Sequence, residues 1–108
     1  MTERRVVVTG IGTINPLGNN IEEYFSNLEK GVSGAAPITR FDAEKFKTKF
    51  ACEIKNYDPS QYFDRKEIRK YDPFTQYALI AATQAVEDAA FDMEALDKEQ
   101  VGVIWSAG

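Results

Sequence analysis

The chain contains no histidine and only one cysteine in 108 residues. The side chains that most often serve as general bases, nucleophiles and metal ligands near neutral pH are therefore nearly missing. A single cysteine excludes an internal disulfide, and with no histidine beside it a zinc site lacks its usual donors. No stretch approaches the ~20 apolar residues that span a bilayer. The valines at 6–8 form the longest apolar run near the amino terminus, short of the roughly 7 residues that a secretory leader needs. Positive charge is not in excess either: 13 basic against 17 acidic residues leave a formal charge of −4. No bulk attraction to nucleic acid or to an anionic membrane follows, so neither is an expected partner, and the cytoplasm is the simplest compartment. Internal repeats and low-complexity tracts are absent. A chain with these gaps reads as scaffold with a docking surface rather than as a reaction centre.

What is present is ordinary for a soluble globular chain, with 44% hydrophobic and 28% charged residues. Residues 5–9 include three consecutive valines and predict a central parallel strand, apolar on both faces. Turn formers fill residues 10–20. Asn20 suits a helix cap and Glu23 the reciprocal position of a capping box. Ile21, Tyr24, Phe25 and Leu28 follow at helical spacing, and Gly31 is a stop. This is strand, loop, helix: the first half of a βαβ unit. Residues 32–71 look like an excursion from the main sheet. In it Phe50, Cys52 and Ile54 alternate with Ala51 and Glu53 as a short half-exposed strand, while Asp58 with Pro59, and Asp64, begin short helices. Asp72 as cap and Pro73 as first residue start a long helix. Its apolar stripe runs through Phe74, Tyr77, Ala78, Ala81, Ala82, Ala85 and Ala89, widened by Leu79, Ile80 and Val86, which predicts near-complete burial. After a polar linker at 92–100, residues 101–105 predict a second buried strand, and 106–108 a small-residue turn of the kind that leads α/β chains toward their chemistry.

Gly10-Ile11-Gly12 after a strand invites a dinucleotide site and a Rossmann-type oxidoreductase. That fingerprint needs a third glycine where Asn15 stands, and a helix starting closer than residue 20, so a structural turn is the better reading. Cys52 lies in an alternating strand with no histidine or helix start to activate it, and reads as a buried structural thiol. Arg65, Lys66, Arg69 and Lys70 form the sharpest charge feature. With Glu67 the window 65–70 carries +3 in a chain of −4, and spacing i, i+1, i+4, i+5 puts the four cations on one helix face. The plain reading is a solvated face with a pair to Asp64 or Asp72; the functional one is a landing patch for an acidic partner. The aromatics Tyr57, Tyr62, Phe63, Tyr71, Phe74 and Tyr77 are expected to fasten the excursion to the long helix.

Four segments in colinear register carry a resemblance: RRVVVTGIGTINPLG at 4–18, GVSGAAPITRFDAEKFKTKFA at 31–51, DRKEIRKYDPFTQYALIAATQAVEDA at 64–89 and VGVIWSAG at 101–108. Together they resemble the amino-terminal part of the β-ketoacyl-[acyl carrier protein] synthases of type II. The resemblance implies a partial thiolase-like fold, the first portion of two α/β halves packed as α-β-α-β-α layers, usually in a homodimer. Residues 1–31 would supply a core strand and helix, 32–71 a capping excursion, and 72–108 a buried helix and core strand. The implied reaction of the intact protein is a decarboxylative Claisen condensation of an acyl thioester with malonyl-[acyl carrier protein], lengthening a fatty acyl chain by two carbons without metal or redox cofactor. The family's nucleophilic cysteine and two histidines fall in later segments, so no catalytic residue transfers, and the 108 residues alone are expected to be an inactive fragment, molten or dependent on other chains. Basic residues that receive the acidic acyl carrier protein do transfer, to Lys66, Arg69 and Lys70, with Arg65 beside them. Relatives that lack the nucleophile and serve as chain-length-controlling partner subunits share these segments, and nothing within 1–108 separates the two.

Overall fold

The computed structural model describes residues 2–107. Helix α1 (Ile21–Glu29) starts because the Asn20 carboxamide accepts from the Glu23 backbone N–H at 2.9 Å. The reciprocal bond of a capping box is displaced by one residue: Glu23 Oε2 takes the N–H of Asn19. The helix ends at Gly31, whose φ of +68° places it in the left-handed region. There Gly31 N–H bonds Leu28 O and Val32 N–H bonds Asn27 O, which satisfies two orphaned carbonyls.

The excursion holds a minimal antiparallel pair, β1 (Ala36–Pro37) with β2 (Phe50–Ala51), in the register Ala36↔Ala51 and Pro37↔Phe50. Only two residues of the expected strand at 50–54 are paired. Phe50 and Cys52 are exposed, while Ala51 and Glu53 on the alternate side are partly covered. Of the expected apolar face, Phe50 and Cys52 thus point outward while Ile54 is partly covered, and Cys52 is an exposed thiol rather than a buried one. The reason is local: Glu53 turns toward the returning chain to collect its donors, and strand alternation sends Cys52 the other way.

A 3-10 turn at Pro59–Gln61 is capped by Asp58. Helix α2 (Arg65–Lys70) carries a complete capping box between Asp64 and Glu67. Helix α3 (Pro73–Ala89) is capped by Asp72, begins with proline and stops at Ala90 in the left-handed conformation. A second 3-10 turn, Lys98–Gln100, interrupts the polar linker.

The two predicted core strands are not strands here. Residues 5–9 and 101–105 join no ladder among the described residues, and Val6 and Ile104 are 93% and 98% exposed. A strand exists only by hydrogen bonding to neighbours, and an apolar run buried on both faces needs layers on both. Neither is available within these residues. Helix α3 is likewise covered on one side only. Ile80 and Gln76 are its buried side chains, whereas Phe74, Leu79 and Val86 remain exposed.

Burial is correspondingly thin. Ile80 is the only buried apolar side chain among the described residues. The radius of gyration is 17.6 Å, against about 13 Å for a compact domain of this length. The 108-residue chain by itself is therefore expected to bind a hydrophobic dye and to show no sharp calorimetric transition. A single cooperative peak carrying the ~70 kcal/mol typical of a compact domain of this size would contradict this.

Candidate docking helix and the network that holds it

Six residues are too few for an autonomous helix in water, so α2 owes its existence to its ends. At its start, Asp64 Oδ1 accepts from the N–H groups of Lys66 and Glu67, each at 2.8 Å, and Glu67 Oε2 accepts from Asp64 N–H at 3.0 Å. Immediately after it, Asp72 Oδ1 takes the Thr75 N–H at 2.8 Å. The three carboxylates nearest the basic cluster are thus engaged with backbone donors. Asp64 and Asp72, the expected ion-pair partners, act as caps. Arg65, Lys66, Arg69 and Lys70 are all exposed, and Lys70 Nζ sits 5.6 Å from the centroid of the Tyr71 ring. The four cations lie together on α2 as their spacing required, and Arg69 and Lys70 occupy the carbonyl end, where positive charge is favoured.

The end of α2 is held from α3. Gln76, 5% exposed, donates through Nε2 to Tyr71 O at 2.9 Å and to Ile68 O at 3.5 Å. Its Oε1 accepts from the Tyr57 hydroxyl. Tyr57 in turn stacks with Tyr62 at 6.1 Å and meets Tyr77 edge-on at 5.1 Å. Phe63 packs edge-on against Tyr71. The expected aromatic fastening is present except at Phe74, which stays exposed.

The hairpin joins the same assembly. Glu53 accepts from the Thr39 hydroxyl at 2.8 Å and from the N–H groups of Thr39 and Arg40. These bonds, the Thr39 hydroxyl first, hold its carboxyl below the ordinary range. Arg40 donates to the Tyr77 hydroxyl at 2.9 Å, which favours its charged form further. Lys55 Nζ donates to the carbonyls of Gly34, Pro16 and Glu53, tying the excursion to the first loop. Gln76, Arg40, Glu53 and Lys55 were not singled out in the sequence. Gln76 left one trace, a polar residue four positions before Ile80 on the helix line that becomes buried.

The glycine pair does not make a nucleotide cradle. A methyl at Gly10 would overlap the Ala85 carbonyl, and one at Gly12 the Ala81 carbonyl, so both glycines serve close contact with α3. The backbone N–H groups of Ile11 and Thr13, which a pyrophosphate would need, are donated to Asp88 Oδ2 at 2.9 Å and Gln84 Oε1 at 3.0 Å. Cys52 borders an open depression lined by Thr13, Asn15, Pro16, Leu17, Tyr24 and Gly34, among which there is no histidine, lysine or carboxylate to activate a thiol. Among the described residues no three histidine, cysteine or acidic side chains group as a metal site would require, and no helix is long and apolar enough to cross a membrane.

An exposed basic helix held on a buried glutamine has no chemistry of its own, and comparison with known proteins decides its setting. The family described as β-ketoacyl synthase, N-terminal domain, matches residues 3–108. The chain belongs to this family. It is 44% identical over 108 residues to the 3-oxoacyl-[acyl-carrier-protein] synthase 2 of Coxiella burnetii, covering 100% of this chain and 26% of that protein. The enzyme of the same name from Synechocystis is 40% identical, again over 100% of this chain and 26% of the relative. That of Staphylococcus aureus is 41% identical over 105 residues, 97% of this chain and 25% of the relative. The chain thus spans about a quarter of the length of these curated relatives. Among solved structures, the ishigamide ketosynthase/chain length factor superposes with a TM-score of 0.77 at 41% identity, over 88% of this chain and 24% of the other. The domain therefore shares the α/β ketosynthase fold along most of its length.

The Tyr57 phenol supplies a pH test of the network. Desolvation, then the neighbouring Tyr77, Tyr62 and Asp58, raise its pKa above the ordinary value of about 10. The neutral form is the one favoured by folding. Its contribution is present below about pH 10 and is lost as pH rises through the higher folded value. In the intact protein, subtracting the ultraviolet titration of Tyr57→Phe from that of wild type is expected to isolate a phenol titrating above free tyrosine. A component at or below the free value would contradict the partly buried placement of Tyr57.

Proposed function

We propose that the chain is the amino-terminal quarter of a type II 3-oxoacyl-[acyl-carrier-protein] synthase. The intact enzyme condenses an acyl thioester with malonyl-[acyl carrier protein], releasing carbon dioxide and a free carrier thiol and leaving an acyl chain longer by two carbons. The observation that carries this reading is colinear identity of 40–44% across the whole chain with synthases of that name. The family resemblance puts the nucleophilic and acid–base groups of the condensation outside residues 1–108, so the lack of histidine here does not count against the reading.

Within that enzyme the domain divides as 1–31, 32–71 and 72–108: a core strand with α1, a capping excursion, and α3 with a second core strand of a thiolase-like layered body. The bare valines at 6–8 and the bare segment 101–105 support this division. Both have the composition of inner strands and need further strands to pair with. The same reading makes the intact enzyme a homodimer working in the cytoplasm.

The part played by these residues is reception of the carrier. Arg65, Lys66, Arg69 and Lys70 form a pre-assembled cationic face, and the nearby carboxylates are engaged in capping. Such a face attracts an acidic carrier and speeds encounter even on a chain of net charge −4. In the intact protein, Lys66→Glu/Arg69→Glu is expected to weaken binding of holo acyl carrier protein at low salt by roughly a hundredfold. It should also flatten the dependence of affinity on salt. Wild-type affinity in the double variant would remove the patch from the carrier site.

A further inference from the structure

We infer that Gln76 is the positioning residue of the basic face: its buried carboxamide fixes the direction in which α2 presents Arg65, Lys66, Arg69 and Lys70. This rests on the carrier-docking reading above and adds to it the part that holds the patch in place.

Helix α2 has six residues, none of them buried, so packing alone does not orient it. Its start is fixed internally by the Asp64–Glu67 box, which turns with the helix and sets no angle to the rest of the molecule. The direct polar link from its last turn to α3 runs through Gln76. Nε2 reaches back to Ile68 O and Tyr71 O, carbonyls that the end of α2 leaves without helical partners. Oε1 is held by the Tyr57 hydroxyl, which keeps the amide facing the carbonyls rather than flipped. Gln76 N–H also bonds Asp72 O within the first turn of α3, so the side chain springs from a fixed base. A side chain with donors and acceptor both engaged at 5% exposure has one orientation. A methionine of similar size would fill the space and free the corner. The four charges would remain, but the face would have to be ordered on each encounter, at a cost in affinity.

The test compares three variants in the intact protein, with holo acyl carrier protein as the probe. Gln76→Met is expected to bind about tenfold more weakly, with the slope of affinity against salt unchanged because no cation has been removed. Ile80→Val, one turn along the same helix and outside the hydrogen bonds that reach α2, is expected to lower the melting temperature while keeping wild-type affinity. Lys66→Glu/Arg69→Glu should lose both affinity and slope. Wild-type affinity in Gln76→Met beside a weakened double reversal would overturn the positioning role alone. Wild-type affinity in the double reversal would overturn the docking reading and the positioning role with it. Equal losses in Gln76→Met and Ile80→Val would reduce Gln76 to a general stability residue. If Gln76→Met does not fold, Tyr57→Phe carries the test, since it releases Oε1 without changing volume. Binding about threefold weaker supports the assignment, and wild-type binding refutes it.

Discussion

The arrangement depends on how closely one stretch of backbone lies against one helix. Residues 10–13 cross α3 at Ala81, Ala85 and Ala89, and the gap is so small that neither Gly10 nor Gly12 has space for a methyl group. Small residues on both sides make this approach possible, and the side chains around them make it durable. Gln84 and Asp88 rise from the helix to take the N–H groups of Thr13 and Ile11. The helix thereby does for one edge of this segment what a neighbouring strand would otherwise do. Gln84 also donates to Asn19 O at 2.8 Å, which fixes the end of the loop. From there the order of assembly is short. Asn15 and Gly18 exchange backbone bonds across the turn, and Asn27 of α1 donates to Leu17 O. Helix α1 is thus placed by polar contacts with the loop, while Phe25 and Leu28 on its apolar stripe stay exposed.

Helix α3 therefore acts as a post with two working ends. Its later turns hold the glycine segment. Its first turns hold the excursion, through Gln76 and Tyr77, and with it the cationic helix. The domain has little apolar core of its own, and polar side chains reaching carbonyls and N–H groups carry most of its long-range connections. This suits the part proposed for it, with apolar surfaces covered by further strands and helices and an outward face that receives a charged partner. Local positive charge on a protein of net negative charge is a means of orienting a partner without attracting every anion.

Local signals in the sequence were reliable wherever a short-range interaction decides the structure. Asn20, Asp58, Asp64 and Asp72 all cap helices or turns, Gly31 stops α1, and Pro73 opens α3. The four cations share α2 for the same reason, since helical spacing alone brings them together. What local signals left open were the faces. The valines at 6–8 have the composition of a buried strand, but burial depends on neighbours that composition does not reveal. Cys52 was placed by alternation on the covered side, yet Glu53 has stronger reasons to face inward, with three donors to collect from Thr39 and Arg40. Gln76 was hidden because a polar residue among several in an alanine-rich helix looks like a solvated position. Its value lies in carbonyls contributed by the preceding helix, which only the corner between α2 and α3 brings within reach.

The close approach of residues 10–13 to α3 is tested most directly by thermal denaturation of the intact protein carrying Gly12→Ala. The added methyl has nowhere to go without moving the Ala81 carbonyl or the segment itself, and a loss of about 1–3 kcal/mol is predicted. A melting temperature equal to that of wild type would show that the glycine segment does not rest on the helix, and the account built on that contact would fail.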